Sequence, residues 1–196
     1  MKVLSVIQPF ATLIVTGAKH IETRPEKITY KNYRGPVLIH TSKKFPPIFR
    51  HLCHQEPFKT ILNLAGVHNP DELPLGKIIG ITWIEDVISL DGFIPGEPER
   101  SFGDYSPGRI GLVLKDSWQF AKPIPAIGQQ GLWNFDINAV STCADCAFDV
   151  PSADDPNWKE CDAPEHIADK IYEKHSDVEL PKYCGQFQPK AATGNG

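Results

Sequence analysis

Apolar positions come in short bursts separated by glycine and proline, and the spacing within each burst predicts its structure. Val3, Leu4, Val6 and Ile7 make a compact run that reads as a short buried strand. Pro9 suits the first position of a helix, where its preset φ helps and its missing N–H does no harm. Phe10, Leu13 and Ile14 then fall at helical spacing. Gly17 stops that helix, because a left-handed residue after a helix end is cheap only for glycine. His20-Ile21-Glu22-Thr23-Arg24 alternates as a strand does. Ile21 and Thr23 are expected on one side and Glu22 and Arg24 on the other, with Lys19 entering from the turn before. Lys27 to Asn32 is polar and reads as a loop. Val37-Leu38-Ile39 forms a buried strand that ends on His40, Thr41 and Ser42.

Residues 43–66 carry helical spacing, which Pro57 divides into two helices. Residues 77–88 are the longest strand candidate, with Gly80 marking a bulge or a close backbone approach. Residues 91–108 are rich in glycine, proline and acids, and a loop of this length is a functional candidate. Arg109 to Trp118 reads as a further strand, Phe120 to Ile127 as a proline-rich extended segment, and Gly131 to Phe135 as a closing strand. Five or six short strands with a few helices predict an α+β fold, a small barrel-like domain rather than a parallel α/β sheet. The chain has no internal repeat, no glycine-rich phosphate loop, and neither a Gly-x-Ser-x-Gly nor a His-Glu-x-x-His motif.

Composition adds a division of the chain. It has 196 residues, 41% hydrophobic and 22% charged, an ordinary globular balance. No apolar run approaches the roughly 18–20 residues that cross a bilayer, and the N-terminus lacks a signal-like apolar stretch. A soluble, cytoplasmic protein is expected. The net charge of −4 hides an asymmetry, +2 over residues 1–140 and −6 over residues 141–196. Within residues 19–50, eight basic residues face only Glu22 and Glu26, a footprint suited to an anionic ligand. The expected organisation is a domain at 1–138, an acidic cysteine-containing segment at 139–188 and a flexible tail at 189–196. The acidic segment would suit a basic protein partner, or the chain's own basic face.

Four of the five cysteines lie in that acidic segment. Cys143 and Cys146 form a C-x2-C knuckle, and Cys161 and Cys184 follow. A knuckle grips one tetrahedral ion, and a segment poor in apolar residues needs such an ion to fold around. The expected cofactor is a structural zinc on Cys143, Cys146, Cys161 and Cys184, with His166 as a substitute ligand. An iron–sulfur cluster would use the same four thiolates.

Three stretches together carry a family resemblance. They are Gln8-Pro9-Phe10-Ala11 with Leu13-Ile14, then Gly17-x-Lys19-x-x-Glu22-x-Arg24, then Tyr33-Arg34-Gly35-Pro36-Val37-Leu38-Ile39-His40. With Gly76-x-Ile78-Ile79-Gly80, Tyr105, Gly108-Arg109 and Gly131-Leu132-Trp133, they resemble the ASCH family, the activating-signal-cointegrator homology domain, over about residues 2–137. The resemblance implies a PUA-like β-barrel with flanking helices, and RNA or nucleotide binding in a cleft beside the motif. It also implies alternatives, since some members deacylate N4-acetylcytidine nucleosides and others cleave RNA. In the deacylating subgroup a threonine stands three residues after the motif lysine. Here that residue is Glu22, with Thr23 adjacent, which favours binding over hydrolysis.

Lys19, Glu22, Arg24, His40, Tyr105 and Arg109 are the ligand-binding candidates. Arg24 offers a planar fork, Lys19 a point charge, and Glu22 an acceptor for an exocyclic amine. Phe10, Tyr105 and Trp133 are candidate stacking faces, worth about 1–3 kcal/mol per base. If the protein is an enzyme, Lys19 and Glu22 are the catalytic candidates of a metal-independent amidohydrolase or ribonuclease. A lysine base must be uncharged, however, and a carboxylate three residues away works against that. Without a ligand, the motif charges make a surface ion-pair ladder worth only about 0–1 kcal/mol.

Overall fold

The computed structural model describes residues 1–26, 28–136, 149–151 and 159–161. The chain divides into two units, Met1–Asp136 and Ile137–Gly196. In the second, strands β7 (Asp149–Pro151) and β8 (Lys159–Cys161) pair antiparallel, with Asp149 opposite Cys161. Cys143, Cys146, Cys184 and His166 lie outside the described residues, and of Cys161 only the backbone placement is described.

The first unit is built on a six-stranded sheet in the order β2-β5-β4-β3-β1-β6. Its strands are β1 (Lys2–Val6), β2 (Ile21–Pro25), β3 (Gly35–Thr41), β4 (Lys77–Ser89), β5 (Arg109–Pro125) and β6 (Leu132–Asn134). β1 and β3 run parallel, and every other neighbouring pair is antiparallel. The sheet curls into a half-barrel, so that Arg24 on edge strand β2 reaches the Ser5 carbonyl of β1, and with its helices it makes the expected α+β fold. The long pairing of β4 and β5 breaks register several times, and each break adds twist and bend.

β5 is longer than the sequence suggests, since the extended segment after Trp118 continues the same strand. Its prolines are tolerated for a physical reason. β2 pairs only with residues 109–113, so Pro123 and Pro125 lie where β5 has β4 on one side and no β2 on the other. The loop expected from Lys27 to Asn32 holds a single helical turn, α2 (Ile28–Lys31), too short to leave a periodic signature.

Helix α1 (Phe10–Val15) packs against β3, β4 and β5. Ala11, Ile14 and Val15 join Leu4, Val6, Val37, Ile39, Ile84 and Leu112 in the main core. Leu13 turns the other way, into a second core with Phe58 and Leu62 of α4 (Phe58–Leu64), Phe45 and Phe102. Cys53, the residue that ends α3 (Pro47–Leu52), completes that cluster. Burial pushes its thiol pKa up, as an inert core cysteine requires. Gly80 lets α1 approach, because a Cβ there would lie 2.3 Å from the Trp118 carbonyl and 2.6 Å from Val15 Cγ1. Among the described residues no helix is long and apolar enough to cross a membrane.

Candidate functional site

The Gly17-to-Arg24 motif begins with a helix end of standard construction. Gly17 has φ +75°, and its N–H bonds the Ile14 carbonyl at 3.0 Å while that of Ala18 bonds Leu13 at 2.9 Å. These two bonds are the Schellman pair, and they reverse the chain so that Lys19 points back into the protein. Lys19 is 1% exposed. Its Nζ donates to the Ile21 carbonyl at 2.5 Å and to the Phe102 carbonyl at 2.7 Å. Glu22 Oε2 at 3.5 Å and Glu99 Oε1 at 3.9 Å supply the counter-charge, and the Phe10 ring lies 5.9 Å away. Glu22 is also buried, so the motif charges do not form a surface ion-pair ladder: Lys19 and Glu22 are interior, and only Arg24 keeps part of its side chain exposed.

Arg24 shares a strand face with Glu22, as alternation predicts. Its Nε stands 3.0 Å from Glu22 Oε1 and its Nη2 donates to the Ser5 carbonyl at 2.7 Å. The Nε approach is close enough for charge attraction but poorly aligned, and that buried N–H has no hydrogen-bond acceptor. The side chain keeps 21% of its surface exposed.

The long loop of residues 91–108 closes over this motif. A 3-10 turn at Glu99–Phe102 presents Glu99, whose carboxylate accepts from the backbone N–H of His20 at 2.8 Å and of Ile21 at 3.0 Å. Tyr105 donates its hydroxyl to Glu99 Oε1 at 3.0 Å. Burial, then the Glu99 charge, pushes the Tyr105 hydroxyl pKa far up, so it remains a donor. Thr23 Oγ1 accepts from the Asp104 N–H at 3.1 Å. Arg109 is tied to the same loop, through the Asp104 carbonyl at 3.1 Å and the Asp104 carboxylate at 3.3 Å.

A second polar cluster lies on the opposite face of β1 and β3 from the main core. Ser5 and His40 are register partners, so their side chains meet, with Nδ1 and Oγ 3.2 Å apart. His40 Nε2 is 3.2 Å from the Ala126 carbonyl, and Trp133 Nε1 donates to Ser5 Oγ at 3.1 Å. Trp133 stands edge-on to His40, and the Gly128 backbone covers the pair. A Cβ on Gly128 would lie 2.4 Å from His40 Cε1.

Desolvation lowers the His40 pKa, the Ala126 bond opposes the shift, and Lys43 adds to it. An unfolded histidine takes up its proton near about pH 6.5. The stabilisation from a neutral His40 is therefore complete above about pH 6.5 and is lost as pH falls below it, toward the lowered folded value. Urea midpoints measured between about pH 8 and pH 5 should fall on the acid side, and fall less in His40→Gln. Equal falls in both proteins would place the titrating group elsewhere.

The family model for the ASCH domain matches residues 4–124. The chain belongs to the ASCH domain family. Human activating signal cointegrator 1 is 27% identical over 133 residues, 68% of this chain and 22% of that protein. The chain therefore spans less than a quarter of that relative. The ASCH protein of Zymomonas mobilis is 14% identical, with a TM-score of 0.40 over 69% of this chain and 87% of its own. A point variant of that protein gives 0.41, with 90% of its chain covered.

Within the ASCH domain, the structure brings Lys19, Glu22 and Arg24 together, with Tyr105 joined to them through Glu99. Arg109 adjoins through its contact with the Thr23 carbonyl at 3.4 Å. His40 belongs to the Ser5 cluster, which Arg24 touches at the Ser5 backbone. Two expected stacking faces are committed to packing. Phe10 stands edge-on to Phe49 and Phe58, and Trp133 is 7% exposed. Glu99 and Ser5 were not singled out by sequence. The acid-rich loop was the signal for Glu99, whereas Ser5 left none, since only the parallel register of β1 and β3 sets it opposite His40.

Proposed function

We propose that this ASCH domain binds RNA or a nucleotide, and that Arg24 rather than Lys19 meets the ligand. The observation that carries the reading is the contrast between the two cations. Lys19 has two of its three N–H groups on carbonyls and the remainder between two carboxylates. Arg24 is partly exposed, with a guanidinium edge beyond its contacts to Glu22 and Ser5. Such a fork suits a phosphate or the paired acceptors of a base. Exposed Lys43 and Lys44, just past the end of β3, extend the positive surface for a nucleic-acid backbone.

The buried clasp around Lys19 fixes Glu22, and Glu22 in turn holds the Arg24 guanidinium. Binding of a short single-stranded RNA, followed by fluorescence anisotropy, tests the reading. Arg24→Ala should weaken binding about 5- to 150-fold and lower the salt slope by about one. Arg24→Lys should not restore it, since a point charge cannot replace a fork. Wild-type affinity in a folded Arg24→Ala protein would remove Arg24 from the interface.

A further inference from the structure

The binding reading uses neither the Ser5 hydroxyl nor the His40 imidazole, yet the two are arranged as chemistry requires. A carbonyl only accepts, so His40 must carry its ring proton on Nε2, facing the Ala126 oxygen at 3.2 Å. Nδ1 then holds the lone pair, and it faces Ser5 Oγ at 3.2 Å. An indole N–H only donates, so Trp133 occupies a lone pair of Ser5 Oγ and leaves the hydroxyl proton for Nδ1. Each partner's direction is thus fixed by a group that has no alternative. A hydroxyl in reach of a base, with the base oriented by a third group, is the arrangement that activates a nucleophile.

Further features surround the pair. Ser5 is partly exposed while His40 is buried, so any approach to the pair is from the serine side. Arg24 Nη2, 2.7 Å from the Ser5 carbonyl, brings a positive charge beside the serine. The Gly128 backbone forms one wall, so close that a Cβ would lie 2.8 Å from His40 Nδ1 and 3.2 Å from Ser5 Oγ.

We propose that Ser5 and His40 form a hydrolytic dyad for a carboxylic ester, with Ser5 as nucleophile and His40 as base. Ser5 Oγ bonds to the ester carbonyl carbon as its proton passes to His40 Nδ1. The carbon–oxygen bond to the alcohol breaks, and the departing alkoxide takes the proton from Nδ1. Water then attacks the acyl-serine, gives its proton to Nδ1, and the acid leaves as that proton returns to Ser5 Oγ. The Arg24 guanidinium balances the negative charge that develops on the carbonyl oxygen in each step. This site is separate from the Lys19 and Glu22 pair, whose ammonium is tied to carbonyls and carboxylates.

The test is covalent trapping of the full chain by a fluorophosphonate probe, with the adduct located by peptide mass spectrometry. The expected result is an adduct on Ser5, absent in Ser5→Ala, and formed about 100-fold or more slowly in His40→Gln. Hydrolysis of p-nitrophenyl acetate should fall in step. Mapping the wild-type adduct needs no variant, so poor folding of either substitution does not blunt the test. No adduct on Ser5, or an unchanged rate in folded His40→Gln, overturns the proposal.

Discussion

Lys19→Met is expected to cost about 3–5 kcal/mol of stability, the range for removing one partner of a buried ion pair. The substitution keeps much of the volume but deletes all three N–H donors. The Ile21 and Phe102 carbonyls lose their shared donor, and Glu22 and Glu99 keep buried or nearly buried charge without the ammonium. Urea unfolding followed by circular dichroism measures the loss. Adding Glu22→Gln and Glu99→Gln to Lys19→Met should recover part of it, because neutral amides cost less to bury than unpaired carboxylates. A loss below about 1 kcal/mol in Lys19→Met would show that the lysine is a surface group in solution. Such a result would reopen Lys19 as a ligand contact.

The second large effect is expected at Glu99. Its carboxylate holds the His20 and Ile21 backbone N–H groups, the Tyr105 hydroxyl and, at longer range, Lys19. Glu99→Ala should cost about 1.5–3 kcal/mol, as loss of hydrogen bonds to a charged group does. The more diagnostic readout is local. Residues 91–108 should become cleavable by limited proteolysis, and the Ile21 amide should exchange faster, while the β3 and β4 amides keep their protection. Uniform loss of protection across the sheet would instead make Glu99 part of the global core. RNA affinity should fall along with the loop's anchorage, since Glu22 and Arg24 share that support.

What could be read in advance followed from how far each signal reaches along the chain. Gly17, Pro57 and Gly80 were legible because a helix end, a helix break and a close approach leave their mark on the residue that makes them. The facing of Glu22 and Arg24 was legible because alternation is local. The burial of Lys19 was not, because the segment that covers it arrives from elsewhere. Glu99 is 79 positions from His20, and nothing at either end announces the other. The same holds for Ser5 and His40, joined only by the parallel register of β1 and β3. β5 was divided too early because prolines were weighed without knowing which side of the strand lacked a neighbour. His40 was singled out as a ligand contact from its strand-end position, and its partners proved to be a serine, a carbonyl and an indole edge.

The sheet order has a consequence for how a ribosome makes this domain. β1 is the first strand of this sheet to be translated, yet one of its two neighbours, β6, is the sheet's last. The Met1 ammonium donates to the Phe135 carbonyl at 2.7 Å, and the Phe135 N–H returns a bond to Met1 at 2.9 Å. Until those residues emerge, β1 has an open edge, and the face bearing Val3 and Ser5 lacks Trp133. Closing so long a loop comes late and slowly. The growing domain therefore carries an open strand edge on β1 until its last sheet strand emerges, a condition under which chaperones bind and neighbouring chains aggregate.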